Sequence, residues 1–308
     1  MEIVVENLTK LYGAQRAVND ISFELHSGEV LGFLGPNGAG KSTTMKIITG
    51  YLAPNSGDVK VNGKSIFTDL EAYKSQIGYL PENNPLYTDM YIVDFLSWAA
   101  QMQGVEKSAI NSRINTMIDY CGLEREKYKK IGELSKGYRQ RVGLAQAMIH
   151  DPEVLIMDEP TTGLDPNQIV EIRDLIKNLG KQKTILLSTH ILSEVEATCD
   201  RIIIINQGNI VADSQASLLK QKLQGREILF VQIEAPVDVT LIANEISSID
   251  SVEHTFVIDT NGRMQVESKA DTSSRKAIYN KCVQKGWYLT EMKIEETRLE
   301  DVFRQLTK

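Results

Sequence analysis

The segment Gly35-Pro36-Asn37-Gly38-Ala39-Gly40-Lys41-Ser42 combines glycines, a lysine and a hydroxyl at a spacing suited to holding phosphates. Glycine carries no Cβ, so the backbone there can wrap closely around phosphate oxygens. Inward N–H groups and the positive N-terminal end of a following helix supply an anion site. Lys41 is expected to reach the β- and γ-phosphates and Ser42 to ligate Mg²⁺, with Thr43 completing the phosphate-binding run. The plainer reading is a glycine turn ending a strand. The strand pattern before the segment and the helix pattern after it favour the phosphate loop.

A second element supplies carboxylates. Val154-Leu155-Ile156-Met157 reads as a buried strand that ends in Asp158-Glu159-Pro160. Adjacent strand residues face opposite ways, but where the chain leaves the sheet both carboxylates can face one crevice. Asp158 is then placed to hold Mg²⁺ through its water and Glu159 to polarise an attacking water. Ser188-Thr189-His190 ends a further apolar strand, and a histidine there can hydrogen-bond a γ-phosphate. Taken alone, His190 reads as structural; its order after the other two elements favours the functional role.

These groups need a scaffold. Val30–Leu34, Val154–Met157, Thr184–Ser188 and Arg201–Ile205 are uninterrupted apolar runs, as in a sheet covered on both faces. Helical patterns lie between them, so the class is α/β. The stretch from about residue 86 to 150 is mostly helical, and Phe95, Leu96, Trp98 and Ala99 form a packing stripe on Asp94–Met102. The main domain is expected over residues 1–213. A polar linker helix is expected over 214–225, closing at Gly225.

Residues 226–308 read differently. The expected order is strand Glu227–Glu234, helix Val237–Ser247, strand Val252–Asp259, a hairpin at Asn261-Gly262, and a strand through Met264 and Val266. Helix Asp271–Lys285, strand Trp287–Ile294 and a last helix Arg298–Leu306 follow. Strand-helix-strand-strand-helix-strand is the ferredoxin-like order, a small α+β accessory domain.

The 308 residues carry a net charge of -7, which disfavours a nucleic-acid backbone as partner. Cys121, Cys199 and Cys282 are far apart and form no CxxC, so neither a zinc site nor a disulfide framework is expected. The longest apolar runs fall far short of the ~20 residues a bilayer requires. The first residues form a strand pattern with no basic region before it, unlike a secretory signal. A cytoplasmic location is expected, on a membrane only through a partner.

At this point the residues resemble the nucleotide-binding domain of ABC transporters, over roughly residues 1–213. Leu134-Ser135-Lys136-Gly137-Tyr138-Arg139-Gln140-Arg141 is similar to the family's signature, and Gly163-Leu164-Asp165 to its D-loop. Tyr12 stands where the family stacks an aromatic on adenine, and a tyrosine offers a suitable π-face; the alternative is a half-buried aromatic at a strand end. The resemblance implies ATP and Mg²⁺ as ligands and two copies facing head to tail. Ser135 and Gly137 of one copy would then cap ATP on the other copy's phosphate loop. One loop and one signature per chain imply a homodimer or a paired homologue. An integral membrane permease would be the further partner, holding the chain on the inner face of the cell membrane.

Lys136 and Tyr138 replace the commonest Gly and Gln of the signature, a variant similar to the exporter branch. The family's lid-loop glutamine falls at Glu82, which can still coordinate Mg²⁺ or a water but adds negative charge near phosphates. Leu80–Tyr87 and the C-terminal extension resemble, more narrowly, the ATPase subunit of the gliding-motility ABC transporter of Bacteroidetes-type bacteria. Two other readings compete: a soluble ABC ATPase acting on ribosomes or DNA, and a nucleotide-dependent regulator that does not hydrolyse. The first usually has two nucleotide-binding domains or long coiled coils, and neither is seen in this sequence. The second is opposed by intact Lys41, Asp158, Glu159 and His190.

Overall fold

Ile3–Tyr12 (β1) and Gln15–Leu25 (β2) pair antiparallel, with Ile3 opposite Leu25 and Tyr12 opposite Gln15. The structure is a computed structural model that describes residues 3–216, 227–269 and 272–295. Val30–Leu34 (β3) is buried along its whole length and belongs to a second sheet. After helix Lys41–Ile48 (α1), strands Ser56–Val61 (β4) and Lys64–Ser65 (β5) complete the first sheet, in the order β2-β1-β4-β5.

Helix Leu70–Lys74 (α2), capped by the Asp69 carboxylate on the Ala72 N–H, leads to strand Ile77–Leu80 (β6). Then come the helices Ile92–Met102 (α3), Ile110–Tyr120 (α4) and Lys136–Met148 (α5), as the sequence leads one to expect for this stretch. Phe95, Trp98 and Tyr87 form a three-ring cluster, so the aromatic stripe on α3 is packing. Strand Val154–Asp158 (β7), helix Pro166–Gly180 (α6), strand Thr184–Thr189 (β8), helix Leu192–Thr198 (α7), strand Arg201–Asn206 (β9) and strand Asn209–Gln215 (β10) follow.

The second sheet runs β10-β9-β3-β8-β7-β6. Its five strands from β9 to β6 are parallel, and only β10 is antiparallel, at the edge. Parallel strands joined by helices bury both faces, which is why β3, β7 and β8 read as solid apolar runs. Their carboxyl ends lie side by side, and the functional side chains leave the sheet there. One shared core packs Phe23 and Ile3 of the first sheet against Phe33, Ile156 and Leu186 of the second.

The described residues fall into two compact units, one up to Ala216 and one from Glu227. The boundary differs in detail from the expectation. Ser214 and Gln215 pair with Ile202 and Arg201, so β10 runs two residues into the stretch read as a linker helix. Its exposed-and-half-buried alternation is that of an edge strand, and its polar residues mimic a solvated helix. Residues 217–226 of that expected helix, and the expected helix Arg298–Leu306, lie outside the described residues.

The second unit contains strand Ile228–Glu234 (β11), helix Val239–Ser247 (α8), strands Val252–Val257 (β12) and Arg263–Ser268 (β13), helix Arg275–Lys285 (α9) and strand Tyr288–Glu295 (β14). The sheet is antiparallel in the order β12-β13-β11-β14, the ferredoxin-like arrangement. Alternate residues Leu229, Val231, Ile233, Met264 and Val266 meet Ile242, Ile246 and Ile278 of the two helices in a separate core. Helix α8 starts at Val239, because the Asp238 side chain accepts from the Thr240 N–H. Helix α9 starts at Arg275, later than the sequence suggests, because Glu227 holds the Ser274 N–H and the Ser273 hydroxyl in the preceding turn.

Candidate active site

The phosphate loop connects β3 to α1. Gly40 is the residue before the helix, at φ +111°, a conformation that side-chain-bearing residues avoid. A Cβ on Gly40 would lie 2.4 Å from the Ala17 carbonyl oxygen, and one on Gly35 would lie 2.5 Å from the Ile205 carbonyl oxygen. These two glycines are therefore demanded by neighbouring protein backbone, while Gly38 faces open space. The loop is tied internally by the Ala39 N–H to the Pro36 carbonyl, and to β9–β10 by the Gly208 N–H to the Ala39 carbonyl.

The Lys41 ammonium rests inside this loop. It donates to the Gly35 carbonyl at 2.8 Å and the Pro36 carbonyl at 3.3 Å, and stands 3.4 Å from a Glu159 oxygen. The lysine is buried, and three oxygens compensate its charge. Ser42, one residue later, donates to Asp158 at 3.2 Å. Asp158 is the last residue of β7, directly beside Ser188 of β8, whose hydroxyl also donates to it.

Glu159 takes φ +50°, unusual for a residue with a side chain. The left-handed step turns the chain out of the sheet, so the two carboxylates part. Asp158 stays beneath the loop, and Glu159 enters the cavity. The Glu159 N–H is held by both the carbonyl and the hydroxyl of Ser188, each at 3.1 Å. Its carboxylate meets His190 Nδ1 at 2.8 Å and accepts from the Thr162 hydroxyl at 3.3 Å.

These groups share one cavity of about 510 Å³. Its walls include Tyr12, Asn37, Gly38, Gly40, Lys41, Ser42, Thr43, Glu82, Glu159 and His190. Tyr12 is half exposed at the end of β1, with the Lys10 ammonium 5.7 Å from its ring centre. Gln15, Ala17 and Thr162 also line the cavity and carry no motif that would flag them. A wider cleft of about 880 Å³ beside β1, β2 and β9 is lined by Glu6, Glu24, Glu29 and Arg201. Its only arginine is already paired with Asp213 and Glu29.

Gly35, Pro36, Ala39 and Asp158 are not among its walls but bond to or adjoin residues that are. Ser135, Gly137 and Asp165 are not among its walls. Ser135 caps α5 by accepting from the Tyr138 N–H, and Gly137 packs against Gln168 of α6. Asp165 caps α6 by accepting from the Asn167 and Gln168 N–H groups, with Pro166 in the first helical position. Signature and D-loop residues thus lie together against α6 and line no part of their own chain's cavity.

The oxygens of Ser42 and Asp158, joined at 3.2 Å, and of Glu82 on the cavity wall are of the hard type that Mg²⁺ takes. Among the described residues no helix is long and apolar enough to cross a membrane.

Known proteins are similar to this chain over most of its length. A family model described as ABC transporter matches residues 18–162. The bacitracin transport ATP-binding protein BcrA of Bacillus licheniformis is 33% identical over 99% of this chain and 96% of its own length. The Nod factor export ATP-binding protein I of Burkholderia lata is 33% identical over 76% of this chain and 77% of its own. Among solved structures, cbiO1 from Clostridium perfringens, described as part of the ABC transporter complex cbiONQ, superposes with a TM-score of 0.66 at 29% identity. It covers 72% of this chain and 91% of that one. The chain belongs to the ABC transporter family, as an ATP-binding and ATP-hydrolysing subunit.

Proposed function

We propose that this chain powers an exporter-type ABC transporter by closing on ATP with a second copy, or a paired homologue, and reopening after hydrolysis. The observation that carries the catalytic part is the contact between Glu159 and His190, 2.8 Å, at the wall of a cavity floored by Lys41 and Ser42. In this reading the loop 35–42 and the start of α1 receive the phosphates, and Tyr12 stacks on the adenine. Lys41 leaves its carbonyl contacts for the β- and γ-phosphates. Ser42, Asp158 and Glu82 would hold Mg²⁺, which would supply positive charge to the phosphates. Glu159 takes a proton from the attacking water, and His190 steadies that carboxylate and reaches the γ-phosphate.

The placing of Ser135, Gly137 and Asp165 outside their own chain's cavity supports capping by a partner. A positive helix start carrying a serine hydroxyl is chemically fit to meet another copy's γ-phosphate. Transport further requires an integral membrane permease, which would hold the chain at the inner face of the membrane. Export is suggested by the Nod factor relative. A gliding-motility role is a narrower proposal, carried only by the Leu80–Tyr87 stretch and the C-terminal extension.

The test is Glu159→Gln. It should keep ATP binding, lower turnover at least about 100-fold, and trap an ATP-bound dimer visible by size-exclusion chromatography. Near-normal hydrolysis would remove Glu159 from the role of water-activating residue. A pull-down of tagged chain from detergent-solubilised host membranes should bring a polytopic membrane protein in stoichiometric amount. Recovery of ribosomal or DNA-bound proteins alone would keep the ATPase chemistry and end the transport reading.

A further inference from the structure

Glu194 is a buried carboxylate with no place in the chemistry above. It sits in the first turn of α7. One oxygen accepts from the Thr161 hydroxyl at 2.5 Å, the other from the Thr189 hydroxyl at 2.8 Å. Both threonines are buried. Thr161 follows Glu159 by two residues, and Thr189 immediately precedes His190. Among the described residues no lysine, arginine or histidine forms an ion pair with Glu194. Its charge is met by two hydroxyls and by the helix start on which it lies. The Thr189 hydroxyl is itself fixed, since it also accepts from the Ile191 N–H at 3.0 Å.

A buried carboxylate with no cationic partner is costly, and apolar packing could join a helix to two loops at less expense. What a carboxylate adds is direction, because its two oxygens set two hydroxyls at a defined separation. Glu159 holds a left-handed backbone conformation that a free loop would relax. With so few residues between the clamp and the two reacting side chains, little slack remains.

We propose that Glu194 is a positioning residue for hydrolysis. By clamping Thr161 and Thr189 it fixes the approach of Glu159 to His190. The proposal rests on the reading of that pair as the water-activating site.

Steady-state ATP hydrolysis by the full-length chain with Mg²⁺ tests it. Thr161→Val removes the hydroxyl and keeps the shape, and Glu194→Gln keeps the shape and removes the charge. Each should lower kcat on the order of tenfold, as expected when reacting groups shift by a fraction of an ångström, while KM for ATP stays within about twofold. Thr161→Ser restores the hydroxyl and should stay within about twofold of the parent kcat. In a His190→Ala background the Thr161→Val loss should shrink, because the contact it protects is already gone. Thr189→Val provides an independent removal if Thr161→Val fails to fold.

The clamp is overturned if Thr161→Val keeps full kcat, if Thr161→Ser is as poor as Thr161→Val, or if the losses fall on KM. Glu159→Gln in the same assay separates the two levels. If it retains turnover, the site reading fails and takes the clamp with it. If it loses turnover while Thr161→Val and Glu194→Gln are normal, the clamp alone fails.

Discussion

Two glycines of the phosphate loop have different reasons to be glycine, and substitution separates them. Gly38 has φ +79° with no atom near an added Cβ, so Gly38→Ala meets only left-handed strain, about 1–2 kcal/mol. Gly40 has φ +111° and an added Cβ would strike the Ala17 carbonyl oxygen, so Gly40→Ala should cost roughly 3 kcal/mol or more. Urea midpoints check the difference; equal midpoints would mean that β2 yields to the methyl group. The loop was legible in the sequence because its chemistry is local: eight consecutive residues carry it. The sequence argument, room for phosphate, misses the protein oxygens of Ala17 and Ile205 that also require that room. Glu194 was illegible for the same reason in reverse. It stands 33 residues from Thr161 and 5 from Thr189, whose hydroxyls local reading assigns to a turn and a strand end.

At the scale of elements, Asp165 carries two claims that can be parted. The side chain caps α6, so Asp165→Ala should destabilise by about 1 kcal/mol, whereas Asp165→Asn keeps an acceptor and most of the stability. If Asp165 also works across a dimer joint, Asp165→Asn will lower turnover at unchanged melting temperature. Unchanged turnover would leave Asp165 as a cap alone. A second junction is Asp151, in the turn between α5 and β7, which bonds Lys183 at 2.7 Å and lies 3.5 Å from Arg113 of α4. The Lys183 hydrogen bond, with help from both positive charges, holds its carboxyl below the ordinary 3.8. A depressed carboxylate contributes stability that is complete above its unfolded value and lost as pH falls through its folded one. The stability gap between the parent chain and Asp151→Asn should therefore be present at pH 7 and shrink below pH 3.8. With the side chain largely exposed, that gap stays under about 1 kcal/mol. Asparagine tolerates the φ of +60° at this turn, so a gap constant with pH would point to lost packing. Elements with solid apolar runs, such as β3 and β7, were legible. The antiparallel first sheet and β10 were less so, because half-solvated strands alternate with polar residues and lack that signal.

Over the whole molecule, three buried thiols report on two units. Cys121 and Cys199 belong to the first unit and Cys282 to the second. Burial pushes Cys121 up to about 12 and raises Cys199 and Cys282 as well. The thiolate is the reactive form, so all three should resist iodoacetamide at pH 8 in the native protein. Each should react when its own unit opens. The first unit encloses a core drawn from two sheets, while the second closes around one small sheet and two helices. A smaller unit buries a smaller fraction of its surface, and its core opens with less denaturant. In a urea series read by mass spectrometry of the labelled peptides, Cys282 should therefore be alkylated at a lower urea midpoint than Cys121 and Cys199. A single midpoint for all three thiols would mean that the two units open as one. In that case removing the second unit should weaken the ATP-binding unit, instead of leaving its nucleotide affinity intact.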